Sequence, residues 1–144
     1  MTTELSTKRV QLLKEILPGL KRLGAIGDAG FAKLVAQRPD AVYVLGGALT
    51  THLRPRFAEL AAQKRLPMIP GANSGGLFTY GSSLANGLRR SAQMVDKILR
   101  GAKPADIPVE QPTVFKLVVN VKAAKALGLT VPPSVLLRAN QVIQ

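Results

Sequence analysis

The stretch AVYVLGG, residues 41–47, decides the fold of this chain. Its five apolar residues run without a polar break and stop at a pair of glycines. Continuous apolar runs of this length are typical of strands that are buried on both faces of a parallel sheet. Similar runs occur at RLGAIG (22–27) and at 66–69. The sequence therefore predicts several buried parallel strands.

Helical spacing of apolar residues alternates with these runs. The predicted helices start at Ser6 or Thr7 and end before Pro18-Gly19, cover 31–35 and 50–64, and resume as a long amphipathic helix at 82–100. A last strand is predicted at 114–120, followed by two short helices that Pro132-Pro133 separates. This alternation predicts an α/β fold with an open, mostly parallel sheet and flanking helices, with residues 1–144 forming one partial lobe.

The amphipathic helix at 82–100 carries the stripe Leu84, Leu88, Val95 and Leu99 on one face. Ser82 is its predicted cap and Gly101 its predicted C′ residue. The next segment, 103–112, contains three prolines and is predicted to be a connector without regular structure.

The composition argues against an enzyme. The 144 residues include no cysteine, one histidine (His52) and eight acidic residues, none of which pairs with another at a meaningful spacing. The glycine clusters match neither a phosphate-binding loop nor a dinucleotide fingerprint. We therefore predict no catalytic residue, no metal site and no cofactor.

The charge is strongly positive, with 20 Lys and Arg against eight Asp and Glu, a net of +12. These cations are scattered, mostly single or in doublets, and no aromatic residues interleave with them. A solvated surface is favoured and no specific nucleic acid is expected, although a basic nucleic-acid-binding or regulatory α/β domain stays as the alternative. No apolar run is long enough to span a membrane and no secretory signal opens the sequence, so the chain as written is expected to stay in the cytoplasm.

Small residues follow three predicted strands, as Gly27-Asp28, Gly46-Gly47 and Gly71 to Asn73. Because the carboxyl ends of parallel strands share one edge, where ligands of open sheets bind, these turns are candidate ligand contacts. The helix beginning near Thr50 offers free N–H groups that suit a carboxylate. Judged by composition alone, ordinary βα turns explain these residues equally well.

Four segments resemble a family of bacterial ABC-transporter solute-binding proteins. They are KRVQLLKEILPGLKRLGAIG (8–27), GGLFTYG (75–81), KILRGAKPADIPVEQPTVFKLVVNVKAAKALG (97–128) and LTVPPSVL (129–136). The resemblance implies one lobe, mainly the carboxyl-terminal one, of a two-lobed type I periplasmic-binding fold that traps a small molecule by hinge closure and passes it to a membrane permease. It also implies a periplasmic or membrane-anchored extracytoplasmic location and, in some members, amino-acid ligands.

Residue matching within that family implies further site residues. Asn73 stands where some members carry an acidic or amide residue at the cleft, and Tyr80 lies in the Tyr-Gly turn. Gly46-Gly47 replaces a position that often contains aspartate, so a contact to a ligand amine is missing. The family also has a helix and a strand between Asp28 and Phe31 that this chain lacks. The helix at 82–100 is expected to pack on a missing first lobe or on a partner chain, including a second copy of this chain.

Overall fold

The computed structural model describes residues 2–26, 30–70 and 76–144, in which helices and strands alternate. The elements are α1 (Thr2–Ile16), β1 (Leu23–Ile26), α2 (Phe31–Ala36), β2 (Ala41–Val44), α3 (Ala48–Gln63), β3 (Met68–Ile69), β4 (Phe78–Ser82), α4 (Leu84–Leu99), a 3₁₀ turn (Pro104–Asp106), β5 (Phe115–Asn120), α5 (Val121–Ala126), α6 (Pro133–Leu136) and β6 (Gln141–Ile143). This order confirms the predicted α/β class.

The strands form two three-stranded sheets, ordered β1-β2-β3 and β4-β5-β6. In the first sheet every pairing is parallel, with Leu23 opposite Ala41 and Val42 opposite Met68. In the second sheet β5 and β6 are also parallel, with Val119 opposite Val142. The predicted parallel architecture is therefore confirmed.

All four residues of strand β2 are buried. Among the other described strands, only the two-residue β3 is also fully buried. The side chains of β2 alternate between two apolar cores. Ala41 and Tyr43 enter the α1-side core, whose other members come from α1, β3, β5, α5, α6 and the residues around β4. Val42 and Val44 enter the α3-side core with residues of β1, α2, α3 and β3. Burying one such valine stabilises the fold by roughly 1.5–3 kcal/mol.

The chain divides into two compact units, which are described separately. Unit 1 comprises residues 1–80 and 117–144 and contains both apolar cores. Unit 2 comprises residues 81–116 and contains α4 and the 3₁₀ turn, neither of which has a buried residue. Within the described residues, no helix is both long and apolar enough to cross a bilayer.

Several predicted boundaries are wrong for local reasons. Helix α1 begins at Thr2, so Ser6 and Thr7 lie inside it, and Glu4 supplies the favourable charge in the first turn. Helix α3 begins at Ala48, two residues before its predicted start, and Pro55 lies in its interior. Ser83, one residue after the predicted cap, accepts a hydrogen bond from the backbone N–H of Asn86. Strand β6 was not predicted.

Helices α2 and α3 end in the same way, with an arginine in the left-handed conformation. Arg38 has φ 49° and Arg65 has φ 50°, and these are the non-glycine residues with positive φ among the described residues. At Arg65 both hydrogen bonds of a Schellman motif are present: the Arg65 N–H donates to Ala62 O, and the Leu66 N–H donates to Ala61 O. Glycine is the usual residue at this position, since a side chain there costs about 1–2 kcal/mol.

Asp40 ties the beginning of β1 to the beginning of β2. Its Oδ2 accepts hydrogen bonds from the backbone N–H groups of Lys21 and Arg22 at 2.8 and 2.7 Å, and its own N–H donates to Arg22 O. The backbone N–H of Arg22, followed by that of Lys21, lowers the pKa of the Asp40 carboxyl below its ordinary value of 3.8. The ionised carboxylate therefore stabilises the folded chain.

Replacing Asp40 by Asn should lower the melting temperature at neutral pH, because the amide accepts these hydrogen bonds without the charge that strengthens them. The stabilisation from a carboxyl whose folded pKa is lowered is present above its ordinary value of 3.8 and is lost as the pH falls through the folded pKa. The difference in melting temperature between wild type and Asp40→Asn, followed by circular dichroism, should therefore be constant near neutrality and shrink in acid. A difference that grows in acid would contradict this role.

Candidate functional site

The turn after β2 is the part of the predicted binding edge that the structure describes. Ile26 and Val44, the last residues of β1 and β2, are opposite each other in the parallel register, so both strands end at the same edge. Leu45, Gly46 and Gly47 follow β2 at this edge and are exposed. Three other predicted contacts, Gly27, Asp28 and Asn73, lie outside the described residues and stay predictions.

Thr50 holds the shape of this turn. Its hydroxyl lies 2.9 Å from Leu45 O and 3.0 Å from Gly47 O, and the residue is only 2% exposed. Because the Thr50 hydroxyl donates to carbonyl oxygens of the turn, it fixes the backbone between β2 and α3. The prediction that Thr50 contacts a ligand is untested, but the geometry gives it a supporting position beneath the turn.

Gly46 leaves open space above the turn. A Cβ built there would meet no described atom within 4 Å. Gly24 and Gly76 are different, since a Cβ at Gly24 would lie 2.6 Å from Leu34 Cδ1 and one at Gly76 would lie 2.5 Å from Met68 O. Packing therefore requires glycine at Gly76, where the obstacle is backbone, and at Gly24 a side chain would have to displace that of Leu34. Neither constraint holds at Gly46, where the missing side chain lets another molecule approach the backbone.

Tyr80 and the end of β2 are linked through Arg9 of α1. The Arg9 Nε donates to Tyr80 O at 2.7 Å, and its Nη1 donates to the Tyr43 hydroxyl at 2.8 Å. The guanidinium also lies 5.9 Å from the centroid of the Tyr43 ring, within the range of a cation–π interaction. Ser6 Oγ completes the group at 3.2 Å from the same hydroxyl. One cation thus connects two segments that carry predicted site residues.

Sequence reasoning did not identify Arg9, and no local signal could have found it. Its partners are 34 and 71 residues away along the chain. From sequence, a cation in an amphipathic helix is ordinarily predicted to be exposed to water. The structure shows instead that Arg9 is half-buried beside Tyr43.

A separate cavity of about 350 Å³ lies within unit 2, between α4 and the extended segment 110–114. Arg90 and Glu110, which form an ion pair, are part of its lining, together with Ser83, Gly87 and Met94. None of the predicted site residues lines it. Among the described residues, no group of three His, Cys, Asp or Glu side chains could hold a metal ion. We therefore base the site on the turn after β2 and not on this cavity.

Three solved structures share the fold of this chain. A conserved domain protein from Vibrio cholerae is 24% identical with a TM-score of 0.82, covering 94% of this chain and 59% of its own. An ABC domain from Streptococcus pneumonia in complex with L-Trp is 25% identical with a TM-score of 0.78, covering 93% and 60%. A substrate binding protein with adhesive properties from Clostridium difficile, in a ligand-free, open structure, is 19% identical with a TM-score of 0.63, covering 96% and 59%.

The chain thus spans about three fifths of the length of these solved structures. The sequence has no match among curated proteins. The profile of the family described as ABC transporter substrate binding protein matches residues 32–143, which is more than half of the chain. This match, which agrees with the α/β fold, establishes that the chain belongs to the ABC transporter substrate-binding protein family.

Proposed function

We propose that this chain forms one wall of the ligand-binding cleft of an ABC importer's solute-binding protein and performs no chemistry itself. The observation that carries the proposal is the family match over 32–143, supported by a structural relative that was solved in complex with L-Trp. The proposed ligand is an amino acid or a related carboxylate. The proposed partner that receives it is the importer's membrane permease, which places the chain outside the cytoplasm.

The turn after β2 is the proposed contact surface of this wall. Exposed backbone at Gly46 and Gly47 allows close approach, and the buried Thr50 hydroxyl keeps the turn in one conformation. The N-terminus of α3 begins at the next residue, Ala48, where its N–H groups favour a carboxylate. Tyr80, Gly27, Asp28 and Asn73 are proposed as further contacts.

A ligand wall formed by one lobe needs an opposite wall. The ligand-free structure of the Clostridium difficile relative is described as open, which implies that its cleft also closes. By analogy, the part of the solved relatives that this chain does not span would supply the opposite wall here. Contacts from one side alone should give weak binding, because the ligand stays half in water.

The stripe on α4 is proposed to pack against that same opposite lobe. Leu84, Leu88 and Leu99 are 70%, 62% and 81% exposed, although their spacing places them on one helix face. Apolar side chains aligned this way on an exposed helix usually mark an interface. A second copy of the chain is the competing occupant.

Replacing Gly46 by Leu should abolish ligand contact without unfolding the chain. The new side chain would enter the open space above the turn, where no described atom lies within 4 Å. The measurement is a titration with L-Trp and a panel of amino acids, followed by NMR chemical shifts. In wild type, a binding amino acid should shift the resonances of residues 45–47, and in Gly46→Leu these shifts should fall by about tenfold or more.

Gly19→Leu is the matched control. Gly19 is also exposed and a Cβ there meets nothing within 4 Å, but it lies in the turn between α1 and β1. This control should retain the wild-type shifts and melting temperature. Failure of every amino acid and small carboxylate to shift residues 45–47 of the wild type would refute the proposed ligand class.

The triple replacement of Leu84, Leu88 and Leu99 by Gln tests what covers α4. If the stripe has no partner within this chain, the melting temperature should stay within a few degrees of wild type, since little apolar burial is lost. Light scattering should then show a monomer for the variant. A fall of about 10 °C or more, together with loss of a dimer seen in wild type, would instead assign the stripe to a second copy.

A further inference from the structure

Five exposed cations cluster at the amino ends of strands β1, β2 and β3, the edge opposite to the candidate ligand turn. We call this set the basic edge. It consists of Lys21, Arg22, Arg38, Lys64 and Arg65. The parallel pairing brings them together, because all three strands begin at the same side of the sheet.

Backbone hydrogen bonds confirm that the segments carrying the basic edge are neighbours. Asp40 N donates to Arg22 O at 2.9 Å, and Val42 N donates to Pro67 O at 2.8 Å. Adjacent strands in a sheet are about 4.8 Å apart, so the strand starts form a single row roughly 10 Å wide. The cations precede these starts by one to four residues. They therefore form one patch and not a scatter over the surface.

The charge of the basic edge is poorly neutralised. Asp40 is the acidic residue in the segments 21–22, 37–40 and 64–67, and its Oδ2 is occupied by backbone N–H groups. The ion pairs found among the described residues, Arg90–Glu110, Arg100–Asp96 and Arg138–Glu15, all lie elsewhere. Arg22 Nη1 donates to Gln37 O at 3.3 Å, and Lys21 and Arg22 lie close enough to Asp40 to help lower the pKa of its carboxyl. Arg38, Lys64 and Arg65 take part in none of these interactions. Five cations and the one carboxylate of Asp40 leave a net charge of +4 at the basic edge for an external anion.

Two members of the basic edge lie at positions where the backbone conformation is unfavourable for any residue except glycine. Arg38 and Arg65 both adopt positive φ directly after the last turn of a helix, a position that glycine fills without strain. The same costly choice occurs twice, at equivalent points of two neighbouring βα units. The fold uses the positive φ to end each helix, but glycine would serve there, so the choice of arginine points to a function for its side chain.

We propose that the basic edge binds the anionic headgroups of a phospholipid bilayer. The family to which the chain belongs serves membrane transporters, so a bilayer surface is the polyanion beside which it works. Nucleic-acid-binding proteins instead insert an element into a groove or stack bases on aromatic rings, and the three segments contain neither a helix nor an aromatic residue. A row of cations at turn tips fits a broad anionic surface.

The basic edge and the ligand turn lie at opposite ends of the same strands. Binding through the amino edge therefore leaves Gly46 and Gly47 facing away from the headgroups, open to solute. The attraction has no apolar anchor and is screened by salt, so it is reversible. It would hold the protein at the bilayer surface without preventing its release.

The test is co-sedimentation with vesicles of phosphatidylcholine that contain about a quarter phosphatidylglycerol, using the double variant Arg38→Gly, Arg65→Gly. Each cation near an anionic bilayer raises partitioning roughly fivefold, so losing two should weaken binding by about tenfold after screening. Because glycine relieves the positive φ, the melting temperature of the variant should be unchanged or higher. Weaker binding with unimpaired stability is the expected result.

The control Lys8→Ala, Lys122→Ala removes the same net charge from exposed positions on α1 and α5, outside the three segments. It should weaken vesicle binding less than about twofold. An equal loss in the control would attribute the binding to net charge and overturn the proposal. Absence of binding to the anionic vesicles, or tighter binding to duplex DNA than to vesicles at equal phosphate concentration, would also overturn it.

Discussion

The double burial of β2 is the constraint on which unit 1 depends. Its four residues, Ala41–Val44, are all buried, and successive side chains enter opposite cores. A shift of register by one residue would exchange the two faces and bring the Tyr43 hydroxyl into the α3-side core, away from Arg9 and Ser6. The strand therefore fixes both the packing of the helices and the point where the ligand turn begins.

Strands β1, β2, β3 and β5 could be predicted because their apolar runs reflect burial directly. Strand β6 could not, because its three residues are exposed. The limits of α1 and α3 could not, because intrinsic preference is a weak guide to helix ends: α1 begins at Thr2, before the predicted caps, and α3 contains Pro55 in its interior. The ligand turn at Gly46 was predicted from its place after a strand, whereas the role of Thr50 beneath it depends on side-chain direction. Arg9 escaped prediction because its bonds join residues far apart in sequence.

Unit 1 has chemically different ends. At the carboxyl edge the exposed residues after β2 are Leu45, Gly46 and Gly47, without charge, so a ligand would meet mainly backbone. At the amino edge the corresponding positions are cationic. Unit 2 adds an exposed apolar helix face. A solute would be recognised by backbone groups, a bilayer by cations and an opposite lobe by apolar side chains. Because these interactions use different residues, the three surfaces can change independently.

The contact between Gly24 and Leu34 limits how this fold can vary. Because a methyl group on residue 24 would lie 2.6 Å from Leu34 Cδ1, even alanine there requires the Leu34 side chain to move. Trimming Leu34 first would leave a void beside β1 that costs stability. Among descendants of this sequence, a residue larger than alanine at position 24 should therefore be accompanied by a smaller residue at position 34.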